Sequence, residues 1–329
     1  MTRLLWILLA LLILISALWC CAALWFDGPT SRPAAGLLVA GFAVLSIYLL
    51  IRVRPTSLAL GLYSGLFVVV LMWWLSIEAS NDREWLPDVA QLPRVHVEGD
   101  TIRIENLRNF DYRSENEYTV SWETRTYELA KIRGVDLFIS YWGSPMIAHT
   151  FVSWDFETGP PLTISIETRK EVGESYSAIK GFFRQFELYY VVSDERDVAR
   201  LRTNFRGEQV YLYRLRGTPE KARELLMDYV ESINRLREQP GWYNAIEHNC
   251  TTSIHHHVKH VVPQNTWDWR MLVNGYLDEA AYERGTINNR LPFDELRRRS
   301  HINARARAAG GDGNYSERIR VGLPERPPS

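Results

Sequence analysis

One cysteine lies apart from the apolar beginning of the sequence and is the residue best suited to act as a nucleophile. Cys250 is the only one of three cysteines outside the first apolar segment. Residues 239–241 (Gln-Pro-Gly) indicate a chain break, and residues 251–262 fit a helix that ends before Pro263. The unpaired N–H groups and the dipole at a helix start favour a negative charge, so a thiol there ionises more easily. The alternative is that Cys250 is a small buried core residue.

A thiol nucleophile needs a base, and His149 is the best candidate among eight histidines. It begins a strand predicted over residues 147–156, which forms a hairpin with residues 162–170 across a Gly-Pro turn. Such a hairpin can hold the imidazole rigidly. The alternative is a half-buried strand histidine that bonds only to backbone.

The same hairpin suggests a carboxylate that orients the base. A turn at residues 159–160 puts residue 149 opposite residue 169, with Glu167 one diagonal step from His149. Side chains alternate along strands, so Ser165 and Glu167 share the face of His149. A carboxylate there would fix the imidazole tautomer. The prediction depends on register, because a one-residue shift moves Glu167 to the other face.

Four further residues are candidate substrate or oxyanion ligands. Arg169 and Ser165 are candidates on the second strand of the hairpin. Asn249 could donate a side-chain hydrogen bond near the thiol, although it is equally suited to cap the following helix. His248 is a poor base, because residues two apart at a helix start do not face each other, but it could line the pocket.

A run of histidines after the cysteine raises the question of a metal. His256 and His260 are four residues apart on one helix face, a spacing that suits zinc. The zincin pattern requires Glu directly after the first histidine, where His257 stands. His255, His256, His257 and His260 are better explained as a solvated or lipid-facing set, and we predict no metal. Without a glycine-rich nucleotide motif, we also predict no cofactor.

Three uncharged apolar segments precede these residues. Residues 4–26, 34–51 and 55–77 each fall within the range of about 17–25 residues that a helix needs to cross a bilayer core. Arg3, Arg52 and Arg54 favour a cytoplasmic location for their flanks, so three crossings put the remaining chain on the outer side. The prediction is a multi-pass protein of the bacterial inner membrane with its C-terminal domain in the periplasm. The net charge of −1 argues against nucleic-acid binding.

After the apolar segments the sequence predicts an α+β domain. Strand patterns come first, then an amphipathic helix that opens at Thr218-Pro219, then the cysteine helix, which favours an antiparallel sheet with helices. Residues 271–284 and 293–299 also look helical. The predicted organisation is a transmembrane anchor over residues 1–80, a thiol domain over 81–305, and a disordered tail over 306–329 that is rich in Arg, Gly and Pro.

Three of these stretches together resemble the DUF4105 family, also called the Lnb N-terminal periplasmic domain. They are residues 148–151 (Ala-His-Thr-Phe), 164–171 (Ile-Ser-Ile-Glu-Thr-Arg-Lys-Glu) and 248–252 (His-Asn-Cys-Thr-Thr). The resemblance implies a circularly permuted papain-like or NlpC/P60-like fold, in which the histidine strand precedes the cysteine helix. It further implies that Cys250 is the nucleophile, His149 the base and Glu167 the orienting group. Relatives of this family are associated with lipoprotein N-acylation.

These observations lead to one functional hypothesis and two alternatives. The hypothesis is a membrane-anchored, cysteine-dependent acyltransferase or hydrolase that acts on an acyl or amide bond of a lipid or lipoprotein through an acyl-thioester. The first alternative is an amidase or peptidase of cell-wall peptide. The second is a non-catalytic, membrane-bound binding module.

Overall fold

The computed structural model describes residues 3–264 and 266–328. Contacts between Cα atoms divide the chain into two units. The first contains Met1–Ser80 and Tyr176–Glu187, and the second contains Asn81–Ser175 and Leu188–Ser329.

The first unit is built on three apolar helices. They are α1 (Arg3–Phe26), α2 (Arg32–Arg52) and α3 (Thr56–Leu75). Each is long and apolar enough to cross a membrane, and most of its residues are exposed. An exposed apolar helix surface of this extent is stable against lipid and not against water. This agrees with the three membrane-spanning segments that the sequence predicts.

The second unit contains a largely antiparallel sheet covered by helices, which confirms the predicted α+β class. Its strands lie in the order β1-β2-β9-β8-β7-β6-β10, and β5 pairs with the other edge of β2. One parallel contact joins β2 to β9. The strands of this sheet and the small β3–β4 hairpin are β1 (Arg94–Glu98), β2 (Thr101–Arg108), β3 (Asp111–Tyr112), β4 (Tyr118–Thr119), β5 (Trp122–Glu128), β6 (Ile132–Tyr141), β7 (Ala148–Phe156), β8 (Leu162–Arg169), β9 (Glu187–Ser193) and β10 (Gln209–Arg214).

Helices cover both faces of this sheet. Trp154 and Leu137 belong to a core that α5 and α6 close, whereas Phe138 and Phe151 belong to a second core on the opposite face. The odd and even residues of β6 and β7 therefore serve different cores, as the two-residue period of a strand requires. The helices of this unit are α4 (Glu195–Arg200), α5 (Pro219–Glu238), α6 (Cys250–Val261), α7 (Leu277–Glu283), α8 (Phe293–Ser300), α9 (Asn303–Ala309) and α10 (Tyr315–Arg320).

The hairpin of β7 and β8 has a register two residues away from the predicted one. Phe151 pairs with Ser165, so residue 149 faces residue 167 by continuation of the ladder, and not residue 169. A two-residue shift keeps every side chain on its face, so Glu167 remains on the face of His149. The paired residues of β7 begin at Phe151, which leaves the start of β7 open on the side of β8. This opening is where α6 begins.

The predicted disordered tail is wrong for most of its length. The residues after 305 contain the end of α9 and all of α10, and Tyr315 is buried in the second core. Arg320 donates to Asp136 at 2.8 Å and to Glu195 at 2.6 Å, and Arg326 donates to Asp136 at 2.8 Å. The composition suggested a solvated tail, but these arginines neutralise Asp136 of β6 and Glu195 of α4, two buried acids that would be costly without a partner.

Candidate active site

Helix α6 begins at Cys250, and Asn249 caps it. The Asn249 Oδ1 accepts hydrogen bonds from the backbone N–H groups of Thr251 and Thr252, each at 2.9 Å. The Thr252 hydroxyl accepts the Asn249 N–H at 3.1 Å, which completes a capping box. The Asn249 amide nitrogen donates to the carbonyl of Ala245 at 2.8 Å. Asn249 is therefore the helix cap, and a hydrogen bond from its amide to a substrate stays a prediction.

The thiol of Cys250 is buried at the open start of β7. The His149 side chain and Thr150 lie close enough to the sulfur to lower its pKa. The amide nitrogen of Asn274 lies 3.9 Å from the sulfur. Two residues that are 101 positions apart in the sequence are thus brought close together, as the prediction required.

The other end of the His149 ring contacts a hydroxyl and a carboxylate. His149 Nε2 lies 2.7 Å from the Ser165 hydroxyl, and that hydroxyl donates to Glu167 Oε1 at 2.7 Å. The direct distance between Nε2 and Oε1 is 3.6 Å. Glu167 therefore reaches the imidazole mainly through Ser165. Because Nε2 is engaged on this side, Nδ1 is the nitrogen left for the thiol.

Glu167 is held as an anion by arginine. Arg202 donates to Glu167 at 3.0 Å and to Glu208 at 3.1 Å, and Glu208 accepts from the Ser140 hydroxyl. Burial alone would raise the pKa of Glu167, but the charges of Arg202 and His149 outweigh it and hold that pKa well below its usual range. The network thus places a permanent negative charge behind the imidazole. Arg202 and Glu208 carried no sequence signal that would link them to the site.

The same network controls the ionisation of the thiol. Burial raises the pKa of Cys250, but the His149 imidazole and the hydrogen bonds from His149 and Thr150 more than compensate, and the pKa falls to about 6. A cysteine with such a pKa is mostly thiolate at neutral pH. The arrangement can therefore present a sulfur nucleophile beside an imidazole, the group that most often transfers protons in enzymes.

Asn274 is a site residue that the sequence analysis missed. Its Oδ1 accepts the backbone N–H of Ala148 at 2.7 Å, and its Nδ2 donates to the Thr251 hydroxyl at 2.9 Å. It thereby joins the start of β7 to the start of α6. The predicted helix over residues 271–284 begins only at Leu277, because Gly275 packs so closely on residues 145–146 that a Cβ atom would lie 2.1 Å from the Pro145 oxygen. The Asn-Gly dipeptide is a turn signal that would have indicated this break.

Two other candidates lie outside the contacts of the thiol. Arg169 donates to the carbonyls of Val89 at 3.0 Å and Ala90 at 2.9 Å, and its guanidinium lies 4.1 Å from the ring centre of Trp85. It stabilises the segment before β1, so the geometry does not support a substrate or oxyanion role. His248 is exposed before the helix cap, where its backbone N–H bonds to the carbonyl of Asn244.

A comparison with known protein families can be made at this point. Residues 118–275 match the model of the Lnb N-terminal periplasmic domain. Over these residues the chain is similar to that family. No curated protein and no solved structure matches the chain. The domain match and the three apolar helices make this a membrane-anchored protein with a periplasmic domain.

An apolar cavity lies next to the start of α6. Its volume is about 320 Å³, and it reaches Thr251, the residue next to Cys250. The Thr251 hydroxyl lies 3.8 Å from the Cys250 sulfur. Lys221, Arg216 and Arg284 also border the cavity. Its apolar walls come from the sheet, α5 and α6, and include Val135, Leu137, Val152, Leu225, Ile254 and Val258.

Proposed function

We propose that the protein is a thiol-dependent acyltransferase or hydrolase of the inner membrane that acts on an acyl or amide bond of a lipid or lipoprotein at the periplasmic face. The observation that carries the proposal is the contact of Cys250 with His149, together with the lowered pKa of the thiol. A buried cysteine without such a partner has a raised pKa and is inert. Here the surroundings favour the charged form.

The reaction would proceed in two steps. The Cys250 thiolate attacks the carbonyl carbon, a C–S bond forms, and the C–O or C–N bond of the donor breaks. The protonated His149 gives its proton to the departing alcohol or amine. An acceptor amine or water then attacks the acyl-thioester, loses a proton to His149, and releases the thiolate. Glu167, through Ser165, stabilises the imidazolium in the first step and orients the ring in both.

Two donors are available for the oxyanion that forms during each attack. The backbone N–H of Cys250 is in the first turn of α6, where no carbonyl of the preceding turn can accept it, and it has no acceptor among the described residues. The Asn274 amide nitrogen lies on the other side, 3.9 Å from the sulfur. Donors fixed before the reaction are the usual means of stabilising this charge.

The apolar cavity supports an acyl group as the part transferred. A volume of about 320 Å³ is within the range of small-molecule sites, and its walls are mainly apolar, as a hydrocarbon chain requires. A hydrocarbon chain there would extend from a carbonyl at Cys250, past Thr251, and along α6. The cationic side chains of Lys221 and Arg216 suit the anionic headgroup of a lipid donor.

The test is to trap the acyl-thioester. The full chain is reconstituted in phospholipid vesicles, without and with a diacylated lipopeptide, and the peptide that contains Cys250 is analysed by mass spectrometry. We expect an acyl adduct that hydroxylamine removes. Cys250→Ala should abolish it, whereas Cys21→Ser, the matched control, should retain it.

The outcomes separate the hypotheses. In a parallel sample that contains cell-wall peptide in place of the lipopeptide, an adduct with the mass of that peptide would favour the amidase alternative. If neither lipid produces an adduct while the Cys250 thiol reacts with iodoacetamide no faster than a model thiol, the protein is a binding module and the proposal fails.

A further inference from the structure

A short segment packs on the ends of the membrane helices. It belongs to the first unit and spans Tyr176–Glu187. Phe183 is buried with its ring 5.1 Å from that of Phe26, the last residue of α1. The Gln185 amide donates to the Phe26 carbonyl at 2.9 Å. The segment is therefore fixed at the level where α1 ends.

A partly buried carboxylate joins the same segment to α3. Asp27 accepts hydrogen bonds from the Trp74 ring nitrogen at 2.7 Å, the Gln185 amide at 2.8 Å and the Arg184 backbone at 3.2 Å. The Arg184 guanidinium lies 4.6 Å from the centre of the Trp74 ring. Trp74 is the penultimate residue of α3. Tryptophan concentrates at membrane–water interfaces, so this cluster marks the boundary of the bilayer.

The free face of the segment is apolar. Backbone hydrogen bonds from Gly181 to Ser177 and from Phe182 to Ile179 form a tight turn around a 3₁₀ helix over Lys180–Phe182. Side chains three residues apart are aligned in such a turn. Ile179 and Phe182 have this spacing and are 62% and 44% exposed. Phe183 points the other way, into the contact with α1.

We propose that this turn is an additional membrane anchor, in which Ile179 and Phe182 insert into the headgroup layer of the bilayer that α1, α2 and α3 span. The argument is continuity, because the turn is bonded to residues at the ends of α1 and α3 and lies at the interface they define. Two large exposed apolar side chains at that depth exchange water for lipid favourably. Lys180 between them can extend its ammonium group to lipid phosphates. The proposal is independent of any catalytic role of Cys250.

The test measures depth directly. In a chain whose Cys20, Cys21 and Cys250 are replaced by alanine, Ile179→Cys and Phe182→Cys are made separately and spin-labelled in nanodiscs of phosphatidylethanolamine and phosphatidylglycerol. Val321→Cys, which replaces an apolar residue of the second unit that is 68% exposed, is the control. The collision rates of each label with oxygen, which partitions into lipid, and with a water-soluble nickel complex are compared.

We expect the labels at residues 179 and 182 to collide several times more with oxygen than with nickel, at a depth of about 5–10 Å, and the label at residue 321 to show the reverse. Nickel accessibility at both test positions equal to that at residue 321 would overturn the proposal. Because two positions are labelled independently, distortion by one substitution does not decide the result. Activity is not measured, so the outcome does not depend on the proposed function.

Discussion

Two histidine–carboxylate groups, one on strands β7 and β8 and one on helices α5 and α6, have very different surroundings. His149 lies beside the thiol, with Nε2 bonded to Ser165 and Glu167 behind it. His257 lies two turns along α6 from Cys250, and Asp228 of α5 accepts from its Nδ1 at 2.5 Å. The residue types are alike, but only the first group contacts a nucleophile.

The difference lies in whether the second ring nitrogen of each imidazole is already hydrogen-bonded to another group. Both nitrogens of His257 are occupied, by Asp228 and by the Tyr190 hydroxyl at 2.7 Å, and its ring stacks on Tyr229 at 3.8 Å between centroids. It is a brace that holds α6 against α5 and β9. His149 has a carboxylate network on one nitrogen and a thiol near the other. A histidine with a carboxylate partner is therefore a candidate base only when its second nitrogen faces the reacting group.

Exchanging the two histidines for asparagine should give the largest contrast. When the His149 imidazole is removed, burial of the thiol raises the pKa of Cys250 above its present value of about 6. We expect His149→Asn to reduce iodoacetamide alkylation of Cys250 at pH 7 by about 10–100-fold, and acyl transfer by about 10²–10⁴-fold. His257→Asn should leave both rates unchanged in the folded protein.

The measurement is the alkylation rate between pH 4 and pH 9, with adduct formation at Cys250 read by mass spectrometry. In the wild type the rate should rise through pH 6 and level off, because the thiolate is the reactive form. An unchanged midpoint in His149→Asn would show that the imidazole does not control the thiol.

The hydroxyls on the two imidazoles provide a sharper comparison. Ser165→Ala removes the bridge between His149 Nε2 and Glu167, and we expect a loss of roughly 10–100-fold in acyl transfer, the value of one hydrogen bond to a charged group. Tyr190→Phe removes the corresponding hydroxyl on His257 and should cost about 1–3 kcal/mol of stability without slowing transfer. Acyl-transfer rates and urea midpoints of the full chain in nanodiscs measure the two effects. Equal transfer rates in both variants would mean that Glu167 does not act through Ser165.

The sequence was sufficient to predict the central pair but not its supports. Cys250 at a helix start and His149 on a strand are local patterns, and alternation along β8 placed Glu167 correctly despite a two-residue error in register. Arg202 and Asn274 were missed because they act through contacts with residues that are distant in the sequence. The periodicity of the sequence cannot show that Arg202 neutralises Glu167 or that Asn274 joins β7 to α6.

The C-terminal residues show the same limit of prediction from sequence. The residues after 305 are rich in arginine, which composition alone associates with solvated tails. Their order comes from Asp136 and Glu195, buried acids that the sequence analysis did not single out. Ion pairs between residues so far apart in the sequence can be identified only from the folded structure.

Protonation of His257, and not of the thiol site, should lower the stability of the fold in mild acid. Burial lowers the pKa of His257 to about 4, although Asp228 partly opposes this. In the unfolded chain this histidine binds a proton near pH 6.5. Its contribution to stability is therefore complete above pH 6.5 and declines as the pH falls to about 4, by at most about 1.4 kcal/mol per pH unit for one proton.

We expect urea midpoints of the full chain to fall over this range in the wild type and in His260→Gln, whose half-exposed ring is the matched control. His257→Gln should be less stable at pH 7 and should lose that part of the slope. If His257→Gln keeps the full dependence of the urea midpoint on pH, other groups cause the acid sensitivity. The contrast between a structural role for His257 and a catalytic role for His149 would then lose this support.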